Sequence, residues 1–179
     1  MAELILFADL SADPITMTTR LAPSALPLGI LLRPARETDV EAMGTLRAES
    51  TGRTDVETSV AEVRATVDGR DGDYLPAASK VAVDEQDQVV AFVQTVGRTA
   101  DGTDPFVVRV HTQPPWRGRG LGRALLIEAM RAAAETSDRV GLRVDSANGE
   151  ALSLCRSLGF VEDGAATPSE QPSASAPTG

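Results

Sequence analysis

Apolar residues along this chain change period several times, and each change marks an element. Residues 30–33 (Ile-Leu-Leu-Arg) form a short strand-like run that Pro34 stops. Val40, Met43 and Leu46 then recur at helical spacing, which predicts a helix over roughly 40–50 with Thr38 or Asp39 as its cap. Val56, Val60, Val63 and Val67 predict a second helix over roughly 55–67. Two β-rich runs, 80–83 and 89–96, flank a polar turn and read as a hairpin. Residues 106–112 form the next strand. Leu121, Leu125, Ala129 and Ala133 fall at i, i+4 spacing and predict a long helix over roughly 121–136. A strand at 140–144 and a short helix over 148–158 follow, the helix stopped by Gly159, and Phe160-Val161 begins one more strand.

The two ends read differently. Residues 1–29 show no clean period and contain Pro14, Pro23 and Pro27, so they are expected to be an N-terminal extension, and Met17 is a second candidate start. Residues 163–179 contain no Val, Ile, Leu, Phe or Met. Such a segment cannot bury enough surface to order itself and is expected to be a disordered tail. One domain over residues 30–162 remains.

Composition narrows the class. The chain has 179 residues, 42% of them hydrophobic, which suits one domain with a real core. No apolar run approaches the ~18 residues of a membrane span. Leu4-Ile5-Leu6-Phe7 is too short for a secretion signal and is flanked by Glu3 and Asp9, so a cytoplasmic protein is expected. One cysteine and one histidine exclude an internal disulfide and a Cys- or His-rich metal centre, and no metal is expected. The net charge of −9 argues against nonspecific nucleic-acid binding, which needs a basic face. It tolerates a cationic small molecule or a basic peptide, and it equally serves solubility.

The chemistry gathers at Pro114-Pro115-Trp116-Arg117-Gly118-Arg119-Gly120-Leu121-Gly122-Arg123, between a strand and a helix. A glycine-rich turn at a helix N-terminus presents unpaired N–H groups to an anion, and the helix dipole favours negative charge there. The third glycine comes too early for a dinucleotide fingerprint, and the Lys-Ser or Lys-Thr of a Walker loop is missing.

This loop, followed by Ala-Leu-Leu, resembles the acyl-CoA-binding motif of the GCN5-related N-acetyltransferase (GNAT) superfamily. The block from Asn148 to Leu158-Gly159-Phe160 is similar to that family's second motif, and residues 32–40 to its opening strand and helix. The resemblance covers about 30–162. It implies an α/β domain with the GNAT-like acyl-CoA N-acyltransferase fold: a mixed, mostly antiparallel sheet of six or so strands with flanking helices.

It also implies transfer of an acetyl group from acetyl-CoA, as cosubstrate, to a primary amine of a small molecule or protein. The pyrophosphate would lie on the backbone of Arg117, Gly118, Arg119, Gly120, Leu121 and Gly122, with Arg123 beside it. The pantetheine arm would enter a gap between the strands at 106–112 and 140–144 and meet Asn148. N–H groups among Val110, His111 and Thr112 would polarise the thioester carbonyl.

Two positions depart from the family pattern. The strand before the loop carries no glutamate, which leaves His111 as its one conventional base. Asp104, Asp145 and Glu49 are further candidates. Cys155 stands where the family commonly has a tyrosine acid, so it is either the proton donor to the leaving thiolate or a small buried hydrophobe. An acidic loop with Asp68, Asp71 and Asp73, together with residues 47–55, is a candidate acceptor side.

The family also continues for two strands beyond Leu-Gly-Phe, whereas only residues 160–162 are available for one. The sheet is then one strand short, borrows a strand from a second copy in a homodimer, or recruits residues 4–7. The rival function is a non-catalytic acyl-CoA-binding or regulatory module. A nucleotide-binding protein is the more distant third.

Overall fold

The computed structural model describes residues 2–11, 14–22, 25–97 and 102–162. Its elements run β1 (Glu3–Asp9), α1 (Pro14–Arg20), β2 (Leu31–Pro34), α2 (Val40–Thr51), α3 (Val56–Val67), β3 (Lys80–Val83), β4 (Val89–Val96), β5 (Phe106–Thr112), α4 (Leu121–Ala133), β6 (Arg139–Asp145), α5 (Gly149–Ser157) and β7 (Phe160–Glu162). Among the described residues, seven strands form one sheet in the order β2-β3-β4-β5-β6-β1-β7. Every neighbouring pair is antiparallel except β5 and β6.

Strand alternation divides the core between the two faces of the sheet. Ala91 and Val93 of β4 join Leu121, Leu125, Ala129 and Ala133 of α4, the stripe read from the sequence. Phe92 between them turns to the other face and packs with Val40, Met43 and Leu46 of α2 and Val63 of α3. Each of these side chains is almost fully buried, and a large apolar one contributes roughly 1.5–3 kcal/mol. The helix α4 ends at Ala133 rather than 136, where the polar Glu135-Thr136-Ser137 run closes in turns.

Residues 3–9, expected to belong to an extension outside the domain, are instead a strand of its sheet. β1 lies between β6 and β7, paired with β6 from Glu3↔Asp145 to Asp9↔Arg139 and with β7 from Leu6↔Glu162 to Ala8↔Phe160. The strand missing after β7 is therefore supplied by residues 4–7 and their neighbours in the same chain. Pro14, expected to break regular structure, opens α1, where the first turn needs no N–H from it. The expected disordered tail, 163–179, lies outside the described residues.

Candidate active site

β5 keeps one neighbour and parts from the other. It pairs with β4 along its whole length, with a register shift between Gln94 and Thr95. It pairs with β6 only at Phe106↔Gly141 and Val107↔Leu142. A bulge of this kind bends a strand, and beyond Val107 the two strands separate. The gap is a cleft of about 360 Å³, walled by residues that include Val110, Leu126, Val144, Asp145, Ala151 and Cys155. Its size lies in the range of small-molecule sites.

Backbone direction follows from a single bond. The Gln113 N–H donates to Val90 O at 2.9 Å, so it points at β4. Antiparallel alternation turns the His111 N–H the same way and aims those of Val110 and Thr112 at the gap. Of the three expected thioester donors, His111 thus has its N–H committed to the sheet, while Val110 and Thr112 remain suited to the role.

Gly122, the last glycine of the loop, borders the cleft. Gly118 and Gly120 have φ of +71° and +82°, a conformation that costs an L side chain energy. A Cβ on either would meet nothing of the protein within 4 Å, so the space over the loop is open. No side chain caps α4, whose first bond is from Ala124 N–H to Gly120 O. Among the described residues, the N–H groups of residues 118–123 have no protein acceptor. These are unpaired donors at the positive end of a helix, with open space beside Gly118 and Gly120.

The loop side chains divide. Arg119 stacks over the Trp116 ring at 5.1 Å and stays exposed. Arg117 turns toward α2, donating to Ser50 O at 2.8 Å and Thr112 O at 3.3 Å. Arg123 donates to Ser157 Oγ at 2.9 Å and Arg20 O at 3.4 Å, so its contribution to the row is its backbone N–H. Leu121 is buried in the core and likewise offers only its backbone. Asn148 borders the cleft and caps α5, its Oδ1 accepting from Ala151 N–H at 3.0 Å. Its side-chain amide N–H groups remain for a second partner.

The family model for the acetyltransferase (GNAT) family matches residues 41–160, the stretch that holds the loop, the parted strands and the Asn148 helix. The chain belongs to the GNAT acetyltransferase family. It is similar to mycothiol acetyltransferase from Kineococcus radiotolerans, at 51% identity over 63 residues, which are 35% of this chain and 20% of that protein. It therefore spans about a fifth of that relative's length. A GCN5-related N-acetyltransferase from Sphaerobacter thermophilus shares the fold with a TM-score of 0.67 at 22% identity, over 89% of this chain and 48% of that one. PaiA N-acetyltransferase from Thermoplasma acidophilum, solved with coenzyme A, has a TM-score of 0.54 at 17% identity, over 72% and 87%.

In this GNAT domain a polar layer lies on the α2 and α3 side of β5. His111 is half-buried, its ring tilted against Phe92 with centroids 5.4 Å apart, and its Nδ1 lies 2.8 Å from Ser50 Oγ. Arg47 pairs with Glu62, and Arg109 bonds Thr66 and Asp71. Of the acidic loop, Asp71 is thus committed to Arg109, while Asp68 and Asp73 stay exposed. Residues 47–55 do reach β5, through Ser50. Ser50 carries no signal in the sequence, since a contact spanning 61 residues leaves no local pattern.

The other candidate bases lie elsewhere. Asp104 sits at the start of β5, accepting from Ser137 Oγ and near Arg139, away from the open end of the cleft. Glu49 meets Gln113 at 3.5 Å beside a second depression across α2. Asp145 borders the cleft, with its Oδ1 holding the Ala147 N–H.

Burial, followed by Arg47, Arg109 and Arg117, lowers the His111 pKa to about 4, so the ring is neutral at pH 7. The unfolded chain holds that proton more tightly, near ~6.5. The stability this site contributes is complete above about pH 6.5 and is lost as pH falls through about 4. The whole amount is at most on the order of 3 kcal/mol, less for a ring partly open to solvent. Between those pH values Tm is expected to fall more steeply for wild type than for His111→Gln. Parallel Tm curves would show that the ring is not held neutral.

Proposed function

We propose that this protein transfers an acetyl group from acetyl-CoA to a primary amine of a small molecule or protein, in a direct ternary complex. The observation that carries this reading is the row of unpaired N–H groups at residues 118–123, beside the cleft that Gly122 lines where β5 leaves β6. That row suits a pyrophosphate, with Arg119 adding charge from its place over Trp116. The cleft suits an extended pantetheine arm, and the free amide of Asn148 suits its polar groups. Bound there, acetyl-CoA supplies the acetyl group as a thioester, whose C–S bond is exchanged for an amide C–N bond.

The chain's own groups act on charge and protons. The N–H groups of Val110 and Thr112 face the gap and would stabilise negative charge on the carbonyl oxygen. His111 is neutral at pH 7 and has a lone pair to receive the amine proton. Cys155 is weaker as the acid. Burial raises its pKa to about 11. A departing CoA thiolate resembles a thiol of pKa ~8.5, so proton transfer from Cys155 runs uphill by a factor on the order of 10²–10³. Cys155 fills the cleft wall instead, and the thiolate is protonated by water. Cys155→Ala is accordingly expected to keep kcat within about twofold. A loss beyond tenfold would return the acid role to the thiol.

Two measurements test the function. Calorimetry against acetyl-CoA, CoA and ATP should give binding to the first two only. Thiol release from acetyl-CoA across a panel of amines should then identify an acceptor. Binding without release from any amine leaves a non-catalytic acyl-CoA-binding module, and no binding removes both readings.

A further inference from the structure

We infer that Arg117 is a positioning residue, a strut that holds the end of α2 to the glycine loop, so that an anion on the loop steadies the place where Ser50 meets His111. α2 ends in a Schellman turn. Gly52 is left-handed, with φ of +67°. Arg53 N–H donates to Ala48 O at 2.9 Å, and Gly52 N–H to Glu49 O at 3.3 Å. Those two bonds serve two of the orphan carbonyls of a helix end and leave the next one over. That next carbonyl is Ser50 O, which receives no backbone N–H among the described residues.

Arg117 supplies the missing donor. Its Nη2 donates to Ser50 O at 2.8 Å, and its Nε donates to Thr112 O at 3.3 Å. One planar fork thus joins three segments: its own loop, the last residue of β5 and the last turn of α2. The charge is permanent and the fork rigid, and a cation is favoured at the negative end of a helix. Arg119 carries the same charge two residues on, yet it stacks over Trp116 and makes no bond to α2 among the described residues. The two arginines of the loop therefore differ in task.

The strut lies between two sites. Arg117 directly precedes Gly118, where the row of unpaired N–H groups begins. An anion that fixes this row fixes the backbone that carries the guanidinium. At the other end, the hydroxyl of Ser50 lies 2.8 Å from His111 Nδ1. Order at either end then favours order at the other, because a coupling free energy acts both ways.

The identity of the anion rests on the proposed cofactor site, whereas the strut is a property of the free protein. Hydrogen exchange read by mass spectrometry separates the two. In the free protein, peptides covering residues 47–54 should exchange about fivefold faster in Arg117→Ala than in wild type. Saturating CoA should slow these peptides in wild type and leave them unchanged in Arg117→Ala. Arg119→Ala removes the same charge from the same loop and should match wild type over 47–54, free and bound. With an amine acceptor and saturating acetyl-CoA, Arg117→Ala should raise the acceptor KM about fivefold. Wild-type exchange over 47–54 in free Arg117→Ala, equal slowing by CoA in that variant, the same change in Arg119→Ala, or an unchanged acceptor KM overturns the inference. So does faster exchange that extends to peptides of β4, which reports a general loss of stability. If CoA protects no part of the wild-type loop, the cofactor reading falls and the coupling with it, and the free-protein comparison decides the strut. If CoA binds and no amine releases thiol, the transfer reading falls, and the exchange pattern still decides the role of Arg117.

Discussion

Leu6→Asp is expected to unfold the protein. Leu6 is 2% exposed and sits in a strand with a neighbour on both sides, opposite Leu142 on β6 and Glu162 on β7. Aspartate there leaves a carboxylate in an apolar core without a partner, or forces it to take up a proton. Either cost, added to the lost leucine packing, exceeds about 4 kcal/mol. A domain of this size has roughly 5–15 kcal/mol in all. Circular dichroism should show loss of the cooperative thermal transition. Ile5→Asp serves as the control, since Ile5 is 44% exposed on the opposite side of the same strand and its replacement should shift Tm by only a few degrees. A folded Leu6→Asp with near wild-type Tm would show that β1 is not part of the sheet in solution.

Gly120→Val should spare the fold and remove most of the affinity for CoA. Its Cβ would meet no protein atom, so no clash unfolds the chain. The residue has φ of +82°, which a β-branched side chain resists by roughly 1–2 kcal/mol, and relief of that strain turns the loop amides out of line. Each charge-assisted bond lost to a phosphate oxygen costs about 1.5–3 kcal/mol. Together these predict a Kd for CoA raised roughly 30- to 300-fold by calorimetry, with Tm lowered by only a few degrees. Unchanged CoA binding would mean that the N–H row is not the phosphate site.

The parts of the fold and site that could be read in advance are those written in neighbouring residues. Gly118 and Gly120 are separated by one residue because the turn needs two left-handed positions in quick succession. The stripe Leu121, Leu125, Ala129 and Ala133 is a property of one helix, and all four residues are buried as their spacing implies. Asn148 at the start of α5 is a local cap.

What could not be read spans the chain. Leu4-Ile5-Leu6-Phe7 is apolar enough for a strand, yet its partners are residues 140–144 and 160–162, which no window around residue 6 contains. Ser50 belongs to an unremarkable helix end and matters through β5. His111 could be named as a base candidate from its strand. Its lowered pKa comes from burial and from arginines on three different segments, a property of assembly alone.

The placement of β1 also governs how the chain reaches its native state. The strand leaves the ribosome long before β6 and β7, between which it must insert. Closing so long a loop costs entropy that is repaid only when both partners arrive, so assembly is weighted toward late, nonlocal pairing. Until then an apolar strand has two open edges and no cover, which is the state most prone to pair with another chain. The segment that completes the sheet is thus its chief hazard during synthesis.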